Sequence, residues 1–249
     1  MSYVLTLGTG LAATKSANLI LMVKKALQLL KRTLTKPEGL TPNAIGPVSR
    51  FYGDDRGTPI DRYYIDKFLT RQRHLITGTV LEIANDDYSR KYGSNISNYE
   101  ILHVNRDNPK ATTIGDLTHP ETLPENKIDC FICTQTFNFI YDFYTAIQGA
   151  RHVLKPGGYL LATLAGPCQI SRYDMDRWGD YWRFTTLSAR KTFEEIFGAG
   201  NVEVECYGNC FASISLLRGI AVEEVSTEKL DVEDPDYEVI ITVTARKSM

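Results

Sequence analysis

Apolar residues recur along the chain with two different periods. In "ANLILMVKKALQLLKRTLT", residues 17–35, Leu19, Met22, Val23, Ala26, Leu27, Leu30 and Leu34 fall at spacings of three and four with lysines opposite, which predicts an amphipathic helix. "TKPEGLTPNAIGP", 35–47, has three prolines and two glycines and predicts a linker or surface arm. Thr58-Pro59-Ile60-Asp61 reads as a helix start, with Thr58 as cap, Pro59 in the first turn and Asp61 facing the helix dipole. That helix should run to about Leu75.

Short apolar runs then alternate with helical stretches. "GTVLEIA", "YEILHVN", "ATTIGDL", "IDCFICTQ" and "YLLATLAG" read as strands. "DDYSRKYG" and "FYTAIQGARHVLKPGG" read as helices between them, the second stopped by Pro156-Gly157-Gly158. "NVEVECYG" and "DYEVIITVTARK" supply two more strands, with "FASISLLRGIAVEEV" helical between them. This order predicts a Rossmann-like α/β fold, a mostly parallel sheet with helices on both faces. Residues 1–50 form an N-terminal extension of helix and linker, and 51–249 the main domain. Ligands of such sheets bind at the carboxyl ends of the strands. That rule selects Ala84–Tyr88, Asn105–Asp107, Asp116, Thr134–Phe137 and the loop from Ala165.

Charge changes the picture at one end only. The net charge of −2 leaves no overall field toward nucleic acid. Residues 1–50 nevertheless carry seven Lys/Arg and one acid, +6, leaving −8 for the rest. The 17–35 helix therefore has two readings, packing on the domain or a partner such as a glycosyltransferase, or lying on an anionic membrane surface. Its apolar run stops at Lys24-Lys25, too short for a span. The five cysteines show no framework spacing, and Cys130 and Cys133 would face opposite sides of a strand. Neither a metal site nor a disulfide is expected, which fits a cytoplasmic protein, with a peripheral seat at the inner membrane face as the second reading.

The first strand ends in "LEIANDDYSRKYG", where the following turn has no glycine. A dinucleotide pyrophosphate needs close approach to backbone amides, and Asp86 and Asp87 would repel it. A cofactor without phosphate, carrying ammonium and sulfonium charges and a ribose diol, tolerates those acids; S-adenosylmethionine answers that description. The order "VLEIA", "ILHVN", "TIGDL", "IDCFICTQTF", "HVLKPGGYLLAT" and "DYWRFTTLSARKTFEEIFG" resembles the class I S-adenosylmethionine-dependent methyltransferases over about residues 55–249. The last piece and "GDDRGTPIDRYYIDKFL" are similar to bacterial glycan and small-molecule methyltransferases encoded beside glycosyltransferases in polysaccharide biosynthesis.

The resemblance implies a seven-stranded sheet with an antiparallel last strand beside the fifth. It also implies cofactor contacts. Glu82 orients the turn near the methionine part, with Ala84, Asn85 and Asp86 in place of the family's glycines. Asn105, followed by Arg106, stands where an acid usually grips the ribose. Asp116 and Leu117 face the adenine, and Thr134 and Gln135 flank the sulfonium. Arg62 or Tyr63 of the leading helix reaches the methionine carboxylate. An amide at 105 forfeits the roughly twofold strength of a charge-assisted bond.

The loop "GPCQISRYDMDRWGDYWRFT" is where this fold builds acceptor sites. Tyr173, Arg177, Trp178 and Tyr181 are the candidate substrate contacts, since aromatic planes beside carboxylates hold sugars. Asp174, Asp176 and Asp180 are the unranked candidates for the base that a hydroxyl acceptor requires. Trp182 and Phe184 lead into a helix and read as core. The expected activity is O-methylation of a sugar or glycan intermediate. Another small metabolite, or a non-catalytic partner protein of the same fold, are the alternatives.

Overall fold

The computed structural model describes residues 8–34 and 45–249, with side chains from Leu19 onward in the first stretch. The linker expected at 35–47 lies, as far as residue 44, outside the described residues. The described part divides into two compact units, one within 1–60 and 214–227, the other comprising 61–213 and 228–249.

The first unit contains helix α1 (Gly8–Leu34). Its segment from residue 45 is tied to 214–227 by backbone and ionic bonds. The Val48 amide donates to the Arg218 carbonyl at 2.7 Å. Arg56 and Glu224 form a bidentate pair, Nε to Oε2 at 2.9 Å and NH2 to Oε1 at 2.5 Å, with both side chains buried. Such a pair fixes geometry more than it adds stability, because desolvation offsets most of the Coulomb gain. Thr58 does not cap the next helix. Its hydroxyl donates to Glu223 at 3.0 Å, and α2 begins two residues later (Ile60–Gln72), followed by a 3-10 turn at Arg73–Leu75.

The second unit is built on a seven-stranded sheet: β1 (Gly78–Ile83), β2 (Ile96–His103), β3 (Thr113–Ile114), β4 (Ile128–Thr134), β5 (Leu154–Ala165), β6 (Val202–Tyr207) and β7 (Ile240–Arg246). The order is β3-β2-β1-β4-β5-β7-β6. Strands β1 to β5 pair in parallel, and β7 lies antiparallel between β5 and β6, as expected. Among its helices are α3 (Asp87–Tyr92), α4 (Phe143–Val153), α5 (Arg172–Met175) and α6 (Thr186–Phe197); α7 (Cys210–Arg218) is shared, its residues from Ile214 belonging to the first unit, and α8 is Thr227–Leu230.

The period-2 alternation of side chains explains the two buried faces. Leu81, Phe131, Cys133, Leu160, Ala162 and Leu164 share a core with Ala146, Ile147, Ala150 and Val153 of α4 and with Ala189, Phe193 and Phe197 of α6. The alternate positions Val80, Glu82, Cys130, Ile132 and Leu161 are buried too. Cys130 and Cys133 accordingly sit on opposite faces, and burial pushes the Cys133 thiol up to about 12. The Lys155–Gly158 turn bulges against Asp129, shifting the β4–β5 register between Ile128 and Cys130. Lys155 Nζ lies 2.7 Å from Asp129 Oδ2 there, and the Thr79 amide donates to the same oxygen at 2.8 Å.

Candidate functional site

The carboxyl ends of β1, β2, β4 and β5 lie side by side in the sheet. Glu82, one residue before the end of β1, is 2 % exposed and accepts from the Tyr88 amide at 3.1 Å and the Ser89 amide at 2.6 Å. It thus ties the strand to the first turn of α3. Burial raises its carboxyl, and the donors of Ser89 and Tyr88 pull it back only in part.

The glycine-less turn keeps a glycine's backbone. Ala84 has φ +67°, in the left-handed region. Its amide donates to the Leu102 carbonyl at 3.1 Å, and its carbonyl accepts from Asn108 Nδ2 at 2.7 Å. The Asn85 amide closes onto Ile83 O at 2.8 Å, and Asn85 Oδ1 lies 3.5 Å from the Asp87 amide. The negative charge of Asp86 is met by Arg90, one helical turn on, at 2.5 Å. A second non-glycine in the left-handed region, Gln135 at φ +50°, stands at the end of β4, held by bonds from its amide to Thr163 O and Oγ1. Thr134 pairs with Thr163 on β5. Of the five non-glycine residues with positive φ among the described residues, these two stand at adjacent strand ends, where backbone strain is the pattern of a ligand site.

Beyond β2, Asn105 uses Oδ1 to accept from the Asp107 amide at 3.0 Å, so its Nδ2 hydrogens are the atoms it can offer a ligand. Arg106 is exposed beside it. Asp116 uses Oδ1 for the Thr118 amide and hydroxyl, both at 2.8 Å, and Oδ2 has no partner among the described residues. Leu117 turns its side chain into the core, so of its polar groups only the backbone serves a ligand.

The leading helix divides two neighbouring candidates. Arg62 NH1 donates to Tyr88 Oη at 2.7 Å, beside the β1 turn. Tyr63, 100° around the helix, gives its hydroxyl to Asp231 at 2.7 Å and packs edge-on against Tyr64, so Arg62 and not Tyr63 joins the site. Asp61 is the residue that sequence reasoning passed over. Its Oδ1 accepts the Arg62 amide at 2.8 Å, and Oδ2 has no partner among the described residues. Burial raises its carboxyl against the pull of Arg62, yet the residue remains partly reached by solvent. Its charge also acts on Cys168, just past β5, whose thiol is pushed up to about 11, chiefly by burial. As a helix-start acid Asp61 carried no other signal in the sequence.

The loop after β5 separates its three aspartates. Asp174 accepts from Ser171 Oγ at 2.5 Å and secures α5. Asp180, whose side chain is 1 % exposed, takes Arg183 in a bidentate pair at 2.5 and 3.0 Å and the Ser171 amide at 3.0 Å. Asp180 is therefore a staple of the loop with both oxygens engaged, and Asp174 spends Oδ2 on Ser171, its Oδ1 having no partner among the described residues. Asp176 is exposed at the end of α5, its carboxylate without a partner among the described residues.

The aromatics spread across the strand ends. Arg177 lies 3.6 Å over the Tyr173 ring. Tyr181 meets Tyr141 edge-on at 5.4 Å, and Trp182 Nε1 donates to the Ile140 and Tyr141 carbonyls at 3.2 and 3.1 Å. Trp178 leans edge-on against His103 of β2, centroids 6.0 Å apart. From β5 to β2 is three strand spacings, about 14 Å. The loop thus crosses the ends of β4 and β1, and Trp178 stands against His103 of β2, not with Tyr181.

These residues fit S-adenosylmethionine. The turn at Ala84 adopts a glycine-like backbone, Asn105 and Asp116 keep polar atoms without partners among the described residues, and Glu82 and Arg62 put a carboxylate and a guanidinium beside the same turn. Residues 76–162, from the approach to β1 into β5, match the family described as "Methyltransferase domain". No curated protein sequence matches the chain. Among solved structures, a Thermotoga maritima protein titled "SAM-dependent methyltransferase, possible histamine N-methyltransferase" is 14% identical; the match covers 76% of this chain and 92% of that one, with a TM-score of 0.51. The citrinin polyketide synthase CMeT domain is 11% identical, covering 80% of this chain and 55% of that one, also at 0.51. An Archaeoglobus fulgidus SAM-dependent methyltransferase is 13% identical over 75% of this chain and 94% of that one, at 0.48. The strand order with its inserted antiparallel β7 is that of the Rossmann-like methyltransferase fold, and the match to the methyltransferase domain spans the β1 turn.

Proposed function

We propose that the protein methylates a hydroxyl of a sugar or similar polyol, with Asp61 as the base. The observation that carries this reading is Asp61 itself, a carboxyl with raised proton affinity and one unengaged oxygen, next to Arg62, which bonds Tyr88 beside the β1 turn. An alcohol attacking a methyl group must lose its proton, whereas a neutral amine need not be deprotonated beforehand. The bound cofactor supplies an electrophilic methyl on a sulfonium. On this reading Arg62 holds the cofactor carboxylate, Asn105 donates to the ribose and Asp116 Oδ2 accepts from the adenine amine. Glu82 keeps the Ala84–Asp86 turn in register. Asp61 would take the proton of the acceptor hydroxyl, and the loop after β5 would hold that acceptor in place, from which much of the rate would come. Exposed Tyr181 and Tyr173 offer planar faces for sugar rings, with Arg177 and Asp176 as polar contacts. A glycan intermediate of a polysaccharide pathway suits that loop, as does another hydroxylated small metabolite.

The test pairs calorimetry with turnover. The wild type should bind S-adenosylmethionine and S-adenosylhomocysteine, and should release the latter when given glycosides but not matched amines. Asp61→Asn should lose about 10²–10⁴ in kcat with cofactor affinity unchanged. Turnover of amines alone, unaffected by Asp61→Asn, would refute the hydroxyl reading.

A further inference from the structure

The turn after β4 holds a carboxamide whose oxygen is left unpaired. Asn138 is 2 % exposed, and its Oδ1 is buried with no hydrogen-bond partner among the described residues. It is the middle residue of the 3-10 turn Phe137–Phe139, just past the end of β4. Successive side chains of such a turn stand about 120° apart. Phe137 takes the direction of the core, edge-on against Phe193 of α6 with ring centroids 5.9 Å apart, so Asn138 leaves the turn on another side. Its backbone carbonyl accepts from the Tyr181 amide at 2.9 Å and the Trp182 amide at 3.2 Å. Asn138 is thus pinned between the end of β4, where Gln135 holds its left-handed backbone, and the loop that carries Tyr181.

A buried carbonyl without a donor destabilises the chain that carries it, and an apolar side chain of the same shape would not. Leucine has that shape, so the sequence keeps asparagine here at a cost to the fold. The cost is recovered when a bound molecule brings an O–H or N–H to the oxygen. The cofactor contacts proposed above come from β1, β2, β3 and α2, whereas Asn138 is bonded to the loop after β5, which supplies the acceptor contacts. The donor therefore belongs to the acceptor. An acceptor lacking it leaves Oδ1 buried and unpaired, and a site of that kind rejects such an analogue strongly.

We infer that Asn138 binds the acceptor, its Oδ1 taking a hydrogen bond from a hydroxyl beside the one that is methylated; the inference rests on the polyol reading of the acceptor. The experiment compares kcat/KM for a glycoside and its monodeoxy series on the full chain and on Asn138→Leu, with thermal melts and calorimetric titration of S-adenosylhomocysteine. In the wild type one deoxy member should lose about tenfold to a hundredfold against its parent. Asn138→Leu should treat that member and the parent within about threefold of each other, chiefly through a raised KM for the parent. Its melting temperature should equal or exceed that of the wild type, and its cofactor affinity should be unchanged. Asn138→Ala, read by the same ratio of acceptors, serves if Asn138→Leu misfolds. Equal discrimination by both proteins would overturn the inference and leave the hydroxyl reading standing. A folded Asn138→Leu that melts several degrees lower would overturn it by revealing a partner inside the fold. A loss of about tenfold in S-adenosylhomocysteine affinity would overturn it by giving the carboxamide to the cofactor. Turnover of amines alone would refute the hydroxyl reading; an amine KM raised about tenfold in Asn138→Leu would still keep Asn138 as the acceptor contact, and an unchanged one would remove it.

Discussion

Ala84 is the point where the sequence departs from a glycine turn and the backbone does not, so replacing it tests the cofactor site directly. At φ +67° an L-residue carries a penalty that glycine lacks, about 1–2 kcal/mol by the sterics of Cβ against the following carbonyl. Ala84 is exposed, so its methyl buries little that a glycine would forfeit. Against the relief stands the extra freedom glycine gives the unfolded chain, about 0.4–1 kcal/mol. Ala84→Gly should then gain about 0.5 kcal/mol, or about 1–2 °C in melting temperature for a chain of this size. Ala84→Val should go the other way by about 1–2 kcal/mol, since a β-branched residue in this region is a true outlier. The turn cannot relax to spare the valine, because the Leu102 carbonyl and Asn108 amide hold it from both sides. If the turn meets the cofactor, the same pair should separate in affinity as well, glycine tighter and valine weaker by tenfold or more. Thermal melts with and without S-adenosylhomocysteine, followed by calorimetric titration, read both effects. A lower melting temperature for Ala84→Gly would refute the strain argument. Equal affinities across the three residues, with Ala84→Val folded, would remove the turn from the cofactor site.

Asp180→Ala strips Arg183 of its carboxylate and the Ser171 amide of its acceptor, and should cost about 1–3 kcal/mol in chemical denaturation, Arg183 being partly solvated. It should raise the acceptor KM while calorimetry finds cofactor affinity unchanged. Trp178→Ala should weaken S-adenosylhomocysteine about three- to tenfold, the scale of one aromatic contact, without moving the acceptor KM; the reverse pattern would return Trp178 to the acceptor side. Burial pulls Asp129 upward, but Lys155 and the Thr79 amide outweigh it and hold its carboxyl below the ordinary value. Its stabilisation is present above an unfolded pKa of about 3.9 and is lost as pH falls through the lowered folded value. Asp129→Asn should therefore flatten the acid limb of a stability–pH curve below about pH 4.

What could be read from the sequence is what local pattern determines. Apolar runs bounded by turns gave the strands, and "DYEVIITVTARK" after an acidic loop is a strand that the sheet takes in antiparallel between β5 and β6. The glycine-less turn was visible as a substitution, but its meaning was not, because only a dihedral angle distinguishes an alanine that takes over a glycine's conformation from one that abolishes it. The three loop aspartates looked alike for a similar reason. Their residue type and spacing are the same, and only the placement of Ser171 and Arg183 turns two of them into staples. Asp61 and Cys168 are far apart in sequence and feel each other's charge only because the topology sets α2 near the end of β5, so no spacing rule could pair them. The stripe on α1 shows the same limit from the other side. Periodicity fixes which residues share a face, but the direction of that face depends on where the opposing charges lie. Asp54, Asp55 and Glu223 attract the basic side inward, and the leucines are left outside because those three carboxylates compete for the lysines and arginine that the stripe lacks.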